Sequence, residues 1–287
     1  MQLSGIHVPL VTPFTAADTV DFGALRALIA SCTAQGVAGL VVLGTTGEPA
    51  TLTPAERAEV LAVCFAESTV PLLVGAGGNA TAATVAEVAA LPPALTPMVV
   101  VPPYTRPGDA GVLAHFRAVA AAANSPIVIY HVPYRTGQPL TTATLLELAA
   151  NPNVAGLKLA DGPITPATVR LIADAPPHFA ILGGDDAVIA PLLALGAHGG
   201  ILASAHVATA DFVALHEAWQ KGDVATARPL GGRLAALSEA LFAEPNPAVI
   251  KAVLHAQGRI ATPAVRLPLL PATTTARDRA LELLALL

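Results

Sequence analysis

The chain contains three lysines, Lys158, Lys221 and Lys251, and Lys158 closes an otherwise apolar, strand-like run in NVAGLKLADG, residues 153–162. An amine held out of water is pushed toward its neutral form, from a pKa of about 10.4 toward the roughly 7 to 8 of catalytic lysines. A neutral amine is a nucleophile that condenses with a ketone to give an imine. A shift of about three pKa units disfavours the cation by roughly 4 kcal/mol, a cost sustained by a functional role or offset by a buried carboxylate. A lysine whose stem lies in a wall and whose head reaches solvent avoids that cost. Position alone leaves both fates open.

Other residues could complete imine chemistry. Tyr130, at the end of the apolar run PIVIY, is placed to deliver and remove protons once a neighbour relays them. Thr45 and Thr46 in LGTTGE offer hydroxyls, and the turn around Gly47 offers backbone N–H groups for a small carboxylate. Arg135, a few residues beyond Tyr130, carries a planar fork suited to a second carboxylate, or is a solvated loop arginine. Asp185 and Asp186 follow a glycine pair and read as caps of the next helix rather than as metal ligands. No His, Cys or Asp spacing suits a metal, so no metal and no cofactor is expected.

These residues need a frame that brings distant ends together. Eight short apolar runs bounded by Gly, Pro or Asn recur, each followed by helical periodicity: HVPLV from His7, GLVVLG from Gly39, PLLVGAG from Pro71, PMVVV from Pro97, PIVIY from Pro126, VAGLKL from Val154, FAIL from Phe179 and GGILAS from Gly199. That alternation predicts βα units, and eight of them predict an α/β fold of the (β/α)8 TIM barrel type, with chemistry at the C-terminal ends of the strands. Thr53, Pro54 and Glu56 read as a capping box opening a helix. Asn79 reads as another helix cap, since the G-x-G-x-x-G of a dinucleotide loop lacks its third glycine in VGAGGNA. Helical segments beyond the eighth run predict a division into a catalytic barrel, 1–222, and a C-terminal helical extension packed on it, 223–287.

Composition sets outer limits. With 54% hydrophobic and 12% charged residues among 287, the chain has ample material for a sheet buried on both faces. Its net charge of −5, with Lys and Arg scattered singly, offers no basic stripe for nucleic acid. The uncharged stretch 187–210 is broken by Pro191, Gly196 and GAHGG into a helix and a strand, so no membrane span is expected. Cys32 and Cys64 lack metal or redox spacing and read as small apolar residues of a reducing compartment. Pro9 and Pro13 would break a signal helix, and a cytoplasmic location is expected.

As a set, GTTGE (44–48), YHVPYRTG (130–137), GLK (156–158), GGDDA (183–187), EPNPAVIK (244–251) and RLPLLP (266–271) resemble the dihydrodipicolinate synthase branch of the pyruvate-dependent Schiff-base aldolases, in order and along nearly the whole chain. The resemblance implies a lyase that condenses pyruvate with aspartate semialdehyde on the route to diaminopimelate and lysine, as a homotetramer built from two dimers. It implies that Lys158 forms the imine, Tyr130 relays protons and Thr45 links the relay. Thr46 and the adjoining backbone would hold the pyruvate carboxylate, Arg135 that of the semialdehyde, and Gly184 and Ile201 would line the pocket. The relay's third member in this family is a tyrosine lent by a neighbouring subunit; here PPYTRP offers Tyr104 alone, where two adjacent tyrosines are usual.

Leu159 stands where these synthases carry glutamate, and His131 where asparagine is common. A sister aldolase or dehydratase acting on a sugar-derived 2-oxo acid is the alternative that Leu159 and the shortened tyrosine loop favour, against Arg135 in YRTG, which favours the synthase; a non-catalytic sensor of small acids is a second. Pro54, Arg57 and Ala83 occupy positions where lysine-sensitive members carry two histidines and a glutamate, which implies weak or absent inhibition by lysine.

Overall fold

Runs of Val, Ile and Leu suit a parallel strand covered on both sides, and each predicted run forms one. In the computed structural model, which describes residues 3–287, the strands are β1 (Gly5–Pro9), β2 (Gly39–Val42), β3 (Leu72–Ala76), β4 (Thr96–Val100), β5 (Ile127–His131), β6 (Val154–Leu159), β7 (Ala180–Gly183) and β8 (Gly199–Ile201). They follow one another in sequence order around a closed barrel, the (β/α)8 arrangement predicted from the alternation of runs. The described chain divides into two compact units, Leu73–Gly200 with Leu3 and Ser4, and Gly5–Leu72 with Ile201–Leu287.

In the first unit, β3 to β7 pair in parallel, and β7 carries the start of β8. Val99, Ile127, Ile129, Leu157 and Ile181 join Phe116, Leu145, Leu148 and Phe179 in one apolar cluster. Threonines start the helices over it: Thr141 caps Thr142–Ala149, and Thr165 caps Pro166–Asp174 with a proline at the first position. Two predicted caps fail. Ala80, not Asn79, precedes the helix Thr81–Ala90, which has no side-chain cap. Asp185 makes no cap bond either; its Oδ2 accepts the Gly162 N–H at 2.8 Å, tying the loop after β6 to the loop after β7.

In the second unit, β1 pairs with β2, and Thr53, Pro54 and Glu56 form the expected capping box on Pro54–Glu67. Cys32 and Cys64 are buried and free, and burial pushes the Cys64 thiol up to about 12, so both act as packing residues. Helices Thr209–Gln220, Val224–Leu241, Ala248–Ala256 and Thr274–Leu284 follow β8. Among the described residues no helix is long and apolar enough to cross a membrane.

Candidate active site

Side chains alternate across a strand, so residues side by side on neighbouring strands share a face. Tyr130 and Lys158 are direct partners in the β5–β6 register, and the Lys158 Nζ lies 4.4 Å from the centre of the Tyr130 ring. Both side chains are buried. Desolvation lowers the Lys158 pKa to about 8; Asp186, Tyr134 and Asp185 oppose the shift through space, and Arg135 adds to it. An appreciable fraction of the amine is therefore uncharged near neutral pH.

Gly184, just past β7, makes room for that lysine. A Cβ there would stand 2.9 Å from Lys158 Cε and 2.9 Å from the Ala160 Cβ. Packed carbons do not approach so closely, so only glycine leaves the lysine stem its path. The same alternation accounts for the two departures. Leu159 and His131 point the other way from Lys158 and Tyr130, toward the helices. Leu159 belongs to the apolar cluster, and burial holds the His131 imidazole neutral, its pKa lowered to about 4 with Asp109 of the preceding helix, Gly108–Ala122, opposing. Neither replacement touches the lysine's face of the strand.

Arg135 lies in a short helical turn, Pro133–Thr136, not in an irregular loop. It is exposed, its Nε donates to the Tyr134 hydroxyl at 3.2 Å, and its guanidinium stacks 5.2 Å from that ring. Sequence reasoning passes over Tyr134; its place beside Arg135 is the one available signal. Tyr104 is 88% exposed with a left-handed φ of 67°, and its N–H donates to the Thr136 carbonyl at 2.8 Å, which fixes its loop to the Arg135 turn. A non-glycine residue keeps such a backbone only where its surroundings impose it.

In the second unit, Thr45, Thr46 and Gly47 form one turn of 3-10 helix after β2. Two non-glycine residues in the left-handed region bracket it, Leu43 at φ 57° and Glu48 at φ 54°. Such strain persists only where surroundings dictate it. The surroundings are visible. Thr12 Oγ1 donates to the Gly47 carbonyl at 2.7 Å, and the Glu48 carboxylate accepts from Lys251 Nζ at 2.6 Å and from the Arg266 N–H at 3.0 Å. Asn246 Nδ2 donates to Thr46 Oγ1 at 3.0 Å. Ile201 ends β8 fully buried. Asn246 and Lys251 are two more residues that sequence reasoning does not place at the site, although both belong to the EPNPAVIK motif.

A closed parallel barrel with a desolvated lysine at the C-terminal end of a strand has the build of an aldolase-type barrel lyase. The chain belongs to the dihydrodipicolinate synthetase family, whose profile matches residues 2–286. It is 39% identical over 284 residues to a 4-hydroxy-tetrahydrodipicolinate synthase of Azoarcus sp. strain BH72, a match that covers 98% of this chain and 97% of that protein. It is also similar in structure to dihydrodipicolinate synthase from Thermotoga maritima, with a TM-score of 0.91 and 30% identity over 99% of this chain and 98% of the other. The enzyme of Cyanidioschyzon merolae solved with lysine bound gives 0.90 and 33%, covering 99% of both chains.

Proposed function

We propose that this protein is a lyase that condenses pyruvate with L-aspartate 4-semialdehyde through an imine on Lys158, in lysine and diaminopimelate biosynthesis. The observation that carries the reading is the desolvated, buried amine of Lys158 beside Tyr130, in a chain of this family. The Lys158 amine adds to the ketone carbon of pyruvate and water leaves, giving the imine. The imine withdraws electrons, the methyl group gives up a proton, and the resulting enamine carbon attacks the aldehyde. The substrate's own amine then displaces Lys158 by transimination and closes the ring.

Tyr130 relays the protons, with Thr45 as the next hydroxyl. Thr46, with the backbone at Gly47, holds the pyruvate carboxylate. Arg135 binds the carboxylate of the semialdehyde, and Gly184 and Ile201 line the pocket. Tyr104 is the relay's third member, lent to a neighbouring subunit in a homotetramer of two dimers; its exposure and left-handed backbone support that role. The reading places the protein in the cytoplasm and divides the chain into a barrel, 1–222, and an extension, 223–287.

Borohydride added with pyruvate tests the chemistry. A reduced pyruvyl adduct mapped to Lys158 is the expected result, and an adduct on Lys221 or Lys251, or none, overturns the site. Turnover with aspartate semialdehyde, set against cleavage of 2-keto-3-deoxy sugar acids, separates the synthase from its sister aldolases; Leu159, packed in the apolar cluster, no longer counts for the latter, which leaves the shortened Tyr104 loop as the feature that favours them.

A further inference from the structure

The turn Thr45–Gly47 and Glu48 after it are held in part by residues some two hundred positions further along the chain. Asn246 donates to Thr46 Oγ1 at 3.0 Å, and Lys251 and the Arg266 N–H take both oxygens of Glu48. A threonine hydroxyl has one hydrogen and two lone pairs. With one lone pair occupied by Asn246, the Thr46 hydrogen is free to point away from Asn246. The other half of the Asn246 amide, Oδ1, is buried with no hydrogen-bond partner among the described residues. A buried carbonyl oxygen left unpaired carries a cost.

We propose that Asn246 is a positioning residue for the keto-acid carboxylate: by donating to Thr46 Oγ1 it turns the Thr46 hydroxyl hydrogen toward the substrate. This rests on the reading that Thr46 holds the pyruvate carboxylate. The helical region after β8 then contributes to substrate binding through a hydroxyl, not only to packing.

The test is a double-mutant cycle of Asn246→Ala and Thr46→Val, followed by kcat, KM for pyruvate and the pyruvate dependence of borohydride trapping. Asn246→Ala is expected to raise KM for pyruvate about tenfold with kcat within about threefold, the loss of one hydrogen bond to a charged group. Asn246→Asp keeps the shape but accepts the Thr46 hydrogen and brings a negative charge, and is expected to raise KM about a hundredfold. In the Thr46→Val background, Asn246→Ala is expected to add less than about twofold.

Equal effects of Asn246→Ala with and without the Thr46 hydroxyl, or an unchanged KM, overturn the proposal. Melting temperature reports whether each variant folds, and Asn246→Ser takes the place of alanine in the cycle if that variant does not. Failure of the functional reading looks different: the unaltered protein then forms no adduct with pyruvate at all, and the inference falls with it.

Discussion

Two lysines are buried in this molecule, and they have been given opposite work. Lys158 and Lys251 each have a pKa lowered to about 8 chiefly by desolvation, and each nitrogen lies over an aromatic ring, Tyr130 at 4.4 Å and Phe14 at 4.1 Å. Lys251, however, donates to Glu48 at 2.6 Å and to the Ala264 carbonyl at 2.7 Å, with the paired side chains 0% and 1% exposed. The carboxylates near Lys158, Asp186 and Asp185, act on it only through space. Burial weakens the hold on the proton in both places, but the partner decides what its loss means. At Lys251 it would strand a buried carboxylate; at Lys158 it leaves an uncharged amine, the nucleophile we propose.

The largest expected effect comes from Lys158→Met, which removes the proposed nucleophile. Turnover is expected to fall by at least about a thousandfold, with no trapped adduct, as for loss of a covalent catalyst. A variant that kept a tenth of the activity would erase the contrast. Lys251→Met should leave the proposed nucleophile in place yet cost about 3–5 kcal/mol of stability, because the buried Glu48 carboxylate loses its ion-pair partner. Denaturant unfolding measures it, and the double variant Lys251→Met with Glu48→Gln should recover most of the loss.

Stability is expected to move the other way at the first lysine. Lys158→Met removes an amine that the fold desolvates, so at pH 7 it should gain about 1–3 kcal/mol. The folded pKa of Lys158, about 8, lies below its unfolded value of about 10.5, so the folded state binds fewer protons between those values. The cost is therefore full below pH 8 and is relieved as pH rises from 8 to 10.5. The same titration governs rate: kcat/KM for pyruvate should fall about tenfold per unit below pH 8 and level off above it. An inflection absent from that region, or one that survives in Lys158→Met, would assign it to another group.

The smallest expected effect concerns regulation. With Pro54, Arg57 and Ala83 in place of two histidines and a glutamate, lysine at submillimolar concentration is expected to leave turnover essentially unchanged, and full inhibition in a steady-state assay would refute that.

Much of the frame was legible in the chain. Eight apolar runs bounded by breakers give eight strands, because a strand buried on both faces needs nothing but apolar, β-branched residues in a short run. Thr53 with Glu56 announces a capping box because all its partners lie within three residues. Asp185 misled for the complementary reason: a local cap was available, but Gly162, from another loop, offered its N–H instead. Tyr134 and Asn246 escaped notice because a tyrosine next to an arginine and an asparagine between prolines carry no chemistry until the fold supplies a partner.

Local order and composition determined the barrel and the one lysine at a strand end. What only the tertiary structure decided is which charges meet. Glu48 and Lys251, 203 residues apart, find each other, and Asn246 finds Thr46 across 200. Periodicity is a property of neighbours along the chain, whereas desolvation and pairing depend on what the folded chain packs against each group. For that reason one sequence can carry two buried amines and only the fold can say which of them is free to react.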